Sequence, residues 1–147
     1  MPGSESSGWG EPRATAVRCI RWLAVVPMAI LAWHLSLVVG LALHSGIEAL
    51  CPAHQMISGL CVAPWFPAAE TAVFIFCAAF AAALIVTACT LVAPDHRRIV
   101  AWTVFALGAL VAAYLALMTM AIWEFLAAVS AGSLSAWLVS RREPRSG

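Results

Sequence analysis

Long apolar stretches restrict this chain to a membrane fold. Two of them cover residues 22–43 and 68–93, and a third, from residue 99 to residue 140, carries Glu124 as its only charge. About 20 apolar residues in a helix cross the ~30 Å hydrocarbon core of a bilayer. Of the 147 residues, 63% are hydrophobic and 10% are charged, whereas about 25% are charged in a typical soluble domain. We therefore predict an all-α membrane protein.

The third apolar stretch is too long for one span. As a single helix it would measure about 60 Å, twice the bilayer core, so it must fold into a hairpin. The reversal is placed within residues 117–123, where Thr119 is the one candidate cap and neither Gly nor Pro occurs. The prediction is a four-helix transmembrane bundle over residues 18–142, with spans at about 22–43, 68–93, 99–118 and 123–140.

The positions of the basic residues predict the orientation of the four spans. All eight are arginines. They fall before span one, between spans two and three, and after span four, at Arg13, Arg18, Arg21, Arg97, Arg98, Arg141, Arg142 and Arg145. The positive-inside rule then places both termini in the cytoplasm and leaves only Glu48, Glu70 and Glu124 as charges on the other side. The Arg-rich, Lys-free composition and the compact loops favour a bacterial plasma (inner) membrane.

The two chain ends are predicted to be cytoplasmic tails. Residues 1–17 are interpreted as a flexible N-terminal tail, because the first 15 are rich in Gly, Ser and Pro, and residues 143–147 as a short C-terminal tail. The first apolar stretch is about twice as long as the apolar region of a secretory signal, so we do not interpret it as one. The net charge of +1, without a basic stripe, gives no indication of nucleic-acid binding.

Small residues recur at four-residue spacing along the predicted spans. This spacing lets two helix backbones approach closely, and its first interpretation is packing inside the bundle. Dimerisation through the last repeat is the alternative. The repeats are Ala32/Ser36/Gly40, Ala78/Ala82, Gly108/Ala112 and Ala128/Gly132/Ala136.

Cys51 and Cys61 are the two cysteines of the predicted extracytoplasmic loop between helices 1 and 2. An extracytoplasmic compartment permits disulfides, so we predict that this pair clips the loop. A redox-active pair is the alternative. The predicted topology is similar to that of the four-helix quinone-linked disulfide oxidoreductases, which also keep both termini inside. Those families pair a C-x-x-C motif with a second cysteine pair, and this sequence contains no C-x-x-C.

His34 is the one ionisable residue predicted to lie well inside the hydrocarbon. Such residues are rare, and they usually face the interior of a bundle. One interpretation is a neutral imidazole that bonds to a hydroxyl or carbonyl of a neighbouring helix. Another is a haem or metal ligand, which for a b-type haem would require a second axial ligand from a methionine, a second copy or a partner subunit. A proton relay is the third.

Several polar and sulfur-containing side chains are predicted to gather at the extracytoplasmic surface. Imidazole and thioether together suit copper, and the M-T-M segment at residues 118–120 has a spacing found in copper-handling segments. Glu70 and Glu124 are instead expected in the first turns of spans two and four, where a carboxylate complements the helix dipole. The candidate metal ligands are His34, His44, His54, Met56, Met118 and Met120; Glu48, Glu70 and Glu124 are the acidic residues of this surface.

The sequence offers helix-packing surfaces but few chemical motifs from which a function could be predicted. The sequence contains no nucleotide-binding loop, no nucleophile elbow and no HExxH motif. The leading hypothesis is a small non-enzymatic accessory, structural or assembly component of a larger membrane complex, surrounded by lipid and bound to other membrane subunits or to further copies of itself. One alternative is a haem- or copper-handling or redox membrane protein that uses His34 or the outer His/Met set. A second alternative is a thiol-disulfide oxidoreductase that uses Cys51 and Cys61.

Overall fold

The computed structural model describes residues 11–142, and within them four helices are long and apolar enough to cross a membrane. They are α1 (Glu11–Ala49), α2 (Phe66–Val92), α3 (Arg97–Thr119) and α4 (Ile122–Arg142). Between α1 and α2 lie a short 3-10 helix, Ala53–Gln55, and two strands, β1 (Met56–Ile57) and β2 (Leu60–Cys61). The prediction of four apolar helices is confirmed.

Helix α2 is the centre of the arrangement. It contacts each of the other three helices, and α3 and α4 also contact each other. The main contact of α1 is with α2 alone. Helix α1 therefore lies on the outside of a group formed by α2, α3 and α4, with most of its circumference uncovered.

The small residues form the closest helix contacts. Ala32 and Ser36 of α1 are buried, and a Cβ at Gly40 would lie 3.2 Å from the Sγ of Cys77 in α2. Close approach of this kind is how helices associate in lipid, where there is no difference in hydrophobicity between a leucine and the solvent. The prediction of internal packing is confirmed for this repeat.

The last repeat is also used inside the fold. Gly132 and Ala136 are buried in α4, and a Cβ at Gly132 would lie 2.9 Å from the ring of Phe105 in α3 and 3.6 Å from Ala82 in α2. Gly132 and Ala136 thus pack against other helices of the same chain, as the first interpretation of the repeat predicts. Gly108 differs, because it is exposed and a Cβ there would meet nothing within 4 Å.

One end of the molecule carries the described arginines, and we call it the arginine end. Arg18 near the start of α1 pairs with Asp95 in the α2–α3 connection, and the Nε of Arg21 donates to the carbonyl oxygen of Val92 at 3.1 Å. At the same end the guanidinium of Arg141 lies 3.7 Å from the centre of the Trp137 ring. The opposite end carries the Cys51–Cys61 disulfide, and we call it the disulfide end.

Helix α1 is longer than the predicted first span at both of its ends. Its 39 residues would measure about 58 Å, well beyond the bilayer core. Residues 11–17, which the sequence analysis assigned to the N-terminal tail, are helical, and a proline in the first turn, here Pro12, is compatible with a helix. Residues 1–10 and the predicted tail 143–147 lie outside the described residues.

The hairpin between α3 and α4 turns within the predicted segment. Helix α3 ends at Thr119, and Met120 adopts a left-handed conformation (φ 58°) before α4 begins at Ile122. Thr119 does not cap α4, since its hydroxyl donates back to the carbonyl oxygen of Leu115 at 2.9 Å. The chain thus reverses with a left-handed methionine in the place where a glycine is more usual.

We expect Gly132→Leu to lower the free energy of unfolding by about 1–3 kcal/mol, because the added side chain would overlap the Phe105 ring. Thermal unfolding in detergent, followed by circular dichroism, measures the change. The matched control is Gly108→Leu, where the space around the Cβ is open. An equal loss of stability in the two variants would contradict this assignment of the α3–α4 contact.

Candidate functional site

The loop at the disulfide end is shorter than the interval between the predicted first and second spans, because α1 continues to Ala49 and α2 begins at Phe66. Cys51 and Cys61 are disulfide-bonded, with their Cα atoms 6.0 Å apart, which confirms the predicted pair. Between them β1 pairs antiparallel with β2. The tight turn is made by Ser58 (φ 53°) and Gly59 (φ 83°), and two positive φ angles in succession are typical of a two-residue hairpin turn.

This hairpin is closed by backbone contacts as well as by the disulfide. The N–H of Val62 donates to the carbonyl oxygen of Gln55 at 3.0 Å. The closed segment resembles a small structural cap, since the cysteines lie at the base of the hairpin and not in a helix N-terminus that would activate a thiolate.

His44 and Glu48 lie in the last two turns of α1, not in the loop where the sequence placed them. The Nε2 of His44 is 3.5 Å from a carboxylate oxygen of Glu48. The imidazole also contacts two rings of α2, with centroid distances of 6.2 Å to Phe66 and 6.4 Å to Phe74. His44 thus fills the junction between α1 and α2, and its Nδ1 has no hydrogen-bond partner among the described residues.

The other predicted residues of this surface occupy separate positions. His54 is exposed on the 3-10 helix and Met56 is exposed on β1. Met118 and Met120 are exposed around the α3–α4 turn. Glu124 lies in the first turn of α4 as predicted. Glu70 does not lie in the first turn of α2, because that helix begins at Phe66, two residues earlier than the predicted span.

The described part of the chain offers little for a metal ion. Among residues 11–142, the His, Cys, Asp and Glu side chains form no group of three or more that could hold one. Among the residues predicted for the extracytoplasmic surface, His44 and Glu48 form an ion-pair contact. A copper site would have to draw its remaining ligands from methionines, which lie at the α3–α4 turn and on β1.

His34 has an orientation that differs from the prediction. The sequence interpretation turned it toward the bundle interior, whereas the structure leaves it exposed. The reason is the small-residue face, because Ala32 and Ser36 are the residues that let α1 approach α2. A residue two positions from each of them points about 200° away around the helix. The prediction that His34 faces the interior is therefore wrong.

The hydrogen bond of His34 stays within its own helix. Its Nδ1 is 2.8 Å from the carbonyl oxygen of Ile30, so Nδ1 carries the proton, because a carbonyl oxygen can only accept. In the neutral ring Nε2 is then an acceptor, and it has no partner among the described residues. The predicted bond to a neighbouring helix is not formed.

Trp33 lies beside His34 and is the residue that sequence reasoning passed over. The two rings meet edge to face, with centroids 5.1 Å apart and planes at 81°. Trp33 is half exposed. Among residues 11–142 its indole N–H has no hydrogen-bond partner either. An unused donor and an unused acceptor are thus adjacent on the uncovered side of α1.

The remaining described cysteines serve packing or lie exposed. Cys77 contacts α1 at Gly40, and Cys89 is fully buried, with its Sγ 3.8 Å from the carbonyl oxygen of Val25. Both cysteines thus act as small packing residues of α2. Cys19 is exposed near the arginine end.

No family model matches the chain, and no curated protein or solved structure is significantly similar to it.

We expect replacement of both Cys51 and Cys61 by Ser to lower the free energy of unfolding by about 2–3 kcal/mol, the value for closing a loop of this length. Thermal unfolding in detergent measures the loss, and Cys19→Ser is the control because Cys19 is a free thiol. A structural cap predicts less stable protein that keeps its membrane location. Unchanged stability together with loss of the cellular function would instead indicate a redox-active pair.

Proposed function

We propose that this protein is a small, non-enzymatic, multi-pass component of a bacterial plasma membrane that acts by contact with other membrane subunits. The observation that carries the proposal is the outward orientation of His34. Two features support it in turn: the depth of this residue and the state of its ring nitrogens.

His34 lies close to the middle of the first span. It is about 2 Å from the midpoint of residues 22–43 at a helical rise of about 1.5 Å per residue. At that depth no water is present to bond the free Nε2, and an unsatisfied polar group costs about 1–3 kcal/mol or more. Contact with a hydrogen-bond donor of another protein removes this cost, whereas contact with lipid chains does not.

The exposed hydroxyl groups of the spans do not create the same demand. Thr71 of α2 bonds to the carbonyl oxygen of Pro67, and Ser130 of α4 bonds to that of Leu126, each within its own helix. Such bonds satisfy the hydroxyl without a neighbour. His34 satisfies only one of its two nitrogens in this way, so it is a specific indication of a partner.

The charges support a cytoplasmic position of the arginine end. Arg97, Arg98, Arg141 and Arg142 are all exposed there. The short loop of the disulfide end, residues 50–65, has no Arg or Lys. The positive-inside rule then gives two cytoplasmic termini, and a disulfide outside the cytoplasm is in the compartment where disulfides persist.

A pair of reporter fusions tests this orientation. We expect green fluorescent protein fused after Arg142 to fluoresce and alkaline phosphatase fused at the same position to be inactive, since each enzyme or chromophore matures on one side only. Alkaline phosphatase inserted after Gly59, at the hairpin turn, should be active. The reverse pattern would contradict the cytoplasmic assignment of the arginine end.

Purification from native membranes tests the partner contact. We expect the tagged protein, released with a mild detergent, to migrate on native gels with other subunits, at a mass above that of two copies of the chain. His34→Leu should release it from that assembly, because the acceptor is lost and only apolar contact remains.

Leu35→Ala is the matched control for that experiment, since Leu35 is also exposed and lies within about 1.5 Å of His34 in depth. It should leave the assembly intact. Recovery of the wild-type protein only as an isolated monomer would contradict the proposal. A Soret band or stoichiometric copper in the purified protein would support the haem or copper alternative instead.

A further inference from the structure

We propose that one occupant of the exposed face of α1 is a second copy of this chain, held by reciprocal hydrogen bonds between Trp33 of each copy and His34 of the other. The inference rests on the part of the proposed function that gives His34 a protein neighbour. It goes further by identifying that neighbour from the donor and acceptor that the same face presents.

The first step is the self-complementarity of the pair. The indole N–H of Trp33 can only donate, and the Nε2 of His34 can only accept while Nδ1 bonds to Ile30. The two rings are in contact on one molecule, but neither group has a hydrogen-bond partner among the described residues. A surface with one free donor and one free acceptor side by side matches a rotated copy of itself.

In a symmetric dimer, Trp33 of one copy and His34 of the other lie at nearly the same depth in the membrane. The arginines give every copy of this chain the same orientation by the positive-inside rule, so the two-fold axis of a symmetric dimer runs along the membrane normal. Residues of equal depth then face each other, as an isologous interface requires. Trp33 and His34 differ in depth by only about 1.5 Å, so a bond from one copy to the other needs no displacement along the membrane normal.

The third step is the direction of the side chains around α1. Successive residues are separated by about 100°, and Ile30 and Leu37 fall near the middle of the angle between Trp33 and His34. We call this strip of α1, centred on Ile30 and Leu37, the seam. A two-fold axis next to the seam sets the Trp33 side of one helix against the His34 side of the other. Both donor–acceptor pairs are then formed at once, one on each side of the seam.

The seam is apolar and free within the described fold. Ile30, Trp33 and Leu37 are each about half exposed, and Val26 and Leu41 are more so. The α2-facing residues Ala32 and Ser36 lie on another side of the helix. A second copy can therefore dock on the seam without displacing α2.

A symmetric contact of His34 with His34 fits less well. Each Nε2 would meet another acceptor, because both Nδ1 protons are used by Ile30. Such a pair would require a water, an added proton or an ion between the rings. The Trp33–His34 arrangement needs no added group.

Disulfide trapping tests the position of the seam. In a Cys19→Ser background, Leu37→Cys should give a reducible dimer after mild oxidation in vesicles, while Leu35→Cys should remain monomeric. Leu35 and Leu37 differ in depth by about 3 Å and have nearly the same exposed fraction, 51% and 50%. Equal trapping of the two variants would overturn the proposed seam.

Complementation between two variants tests the hydrogen bonds themselves. Trp33→Phe removes the donor and His34→Leu removes the acceptor, and each should weaken self-association by roughly threefold to tenfold, the effect of losing two intramembrane hydrogen bonds. A mixture of the two variants retains one Trp33–His34 bond in each mixed pair. We therefore expect mixed pairs to be more stable than either self-pair, as measured by energy transfer between labelled copies in vesicles.

The outcomes separate the possible failures. Loss of pairing in His34→Leu but not in Trp33→Phe would overturn the reciprocal bonds and favour an ion between two histidines. Absence of self-association in the wild type, while His34-dependent capture of other subunits persists, would overturn the second copy as occupant and leave the proposed function intact. Loss of both would overturn both.

Discussion

Close approach of helix backbones at small residues is the constraint on which this structure depends. In lipid there is no hydrophobic gain from placing one leucine against another, so helices associate where alanine, serine and glycine let their backbones come near. Gly40 against Cys77 brings α1 to α2, and Gly132 against Phe105 and Ala82 brings α4 to α3 and α2. These contacts determine which side of every helix is inside and which side is left for lipid or for another protein.

Much of this arrangement was predictable because a helix that crosses lipid must be apolar over a known length. Apolar length gives the spans, so α2 and α3 begin and end within two residues of their predicted limits. The compartment and the separation of Cys51 and Cys61 were enough to predict their bond. Outside the hydrocarbon, the length of an apolar stretch no longer indicates where a helix begins or ends. The observed limits of α1 differ from the predicted ones because residues 11–17 and 44–49 have the polar composition of a loop. Neither segment ends the helix, and the first proline after the second segment is Pro52.

The direction of His34 was missed for a different physical reason. A polar residue in a span is usually turned inward, but on α1 that place is taken by Ala32 and Ser36. A bulky imidazole on that face would separate the two backbones. The small-residue repeat was visible in the sequence and could have placed His34 on the far side. The role of Trp33 depends on the contact between two rings and on the state of Nδ1, which no sequence pattern contains.

The proposed function lies on the surface of α1 and not in an enclosed site. Its most direct test is the accessibility of nitroxide labels to molecular oxygen, with single labels at residues 30–41 in reconstituted vesicles. Oxygen dissolves in hydrocarbon, so a label that faces lipid relaxes faster than one packed against protein. The account predicts two protected sides, one at positions 32, 36 and 40 against α2 and a second at positions 30 and 37, while positions 31 and 35 remain accessible. A single protected side, with positions 30 and 37 as accessible as position 35, would contradict it.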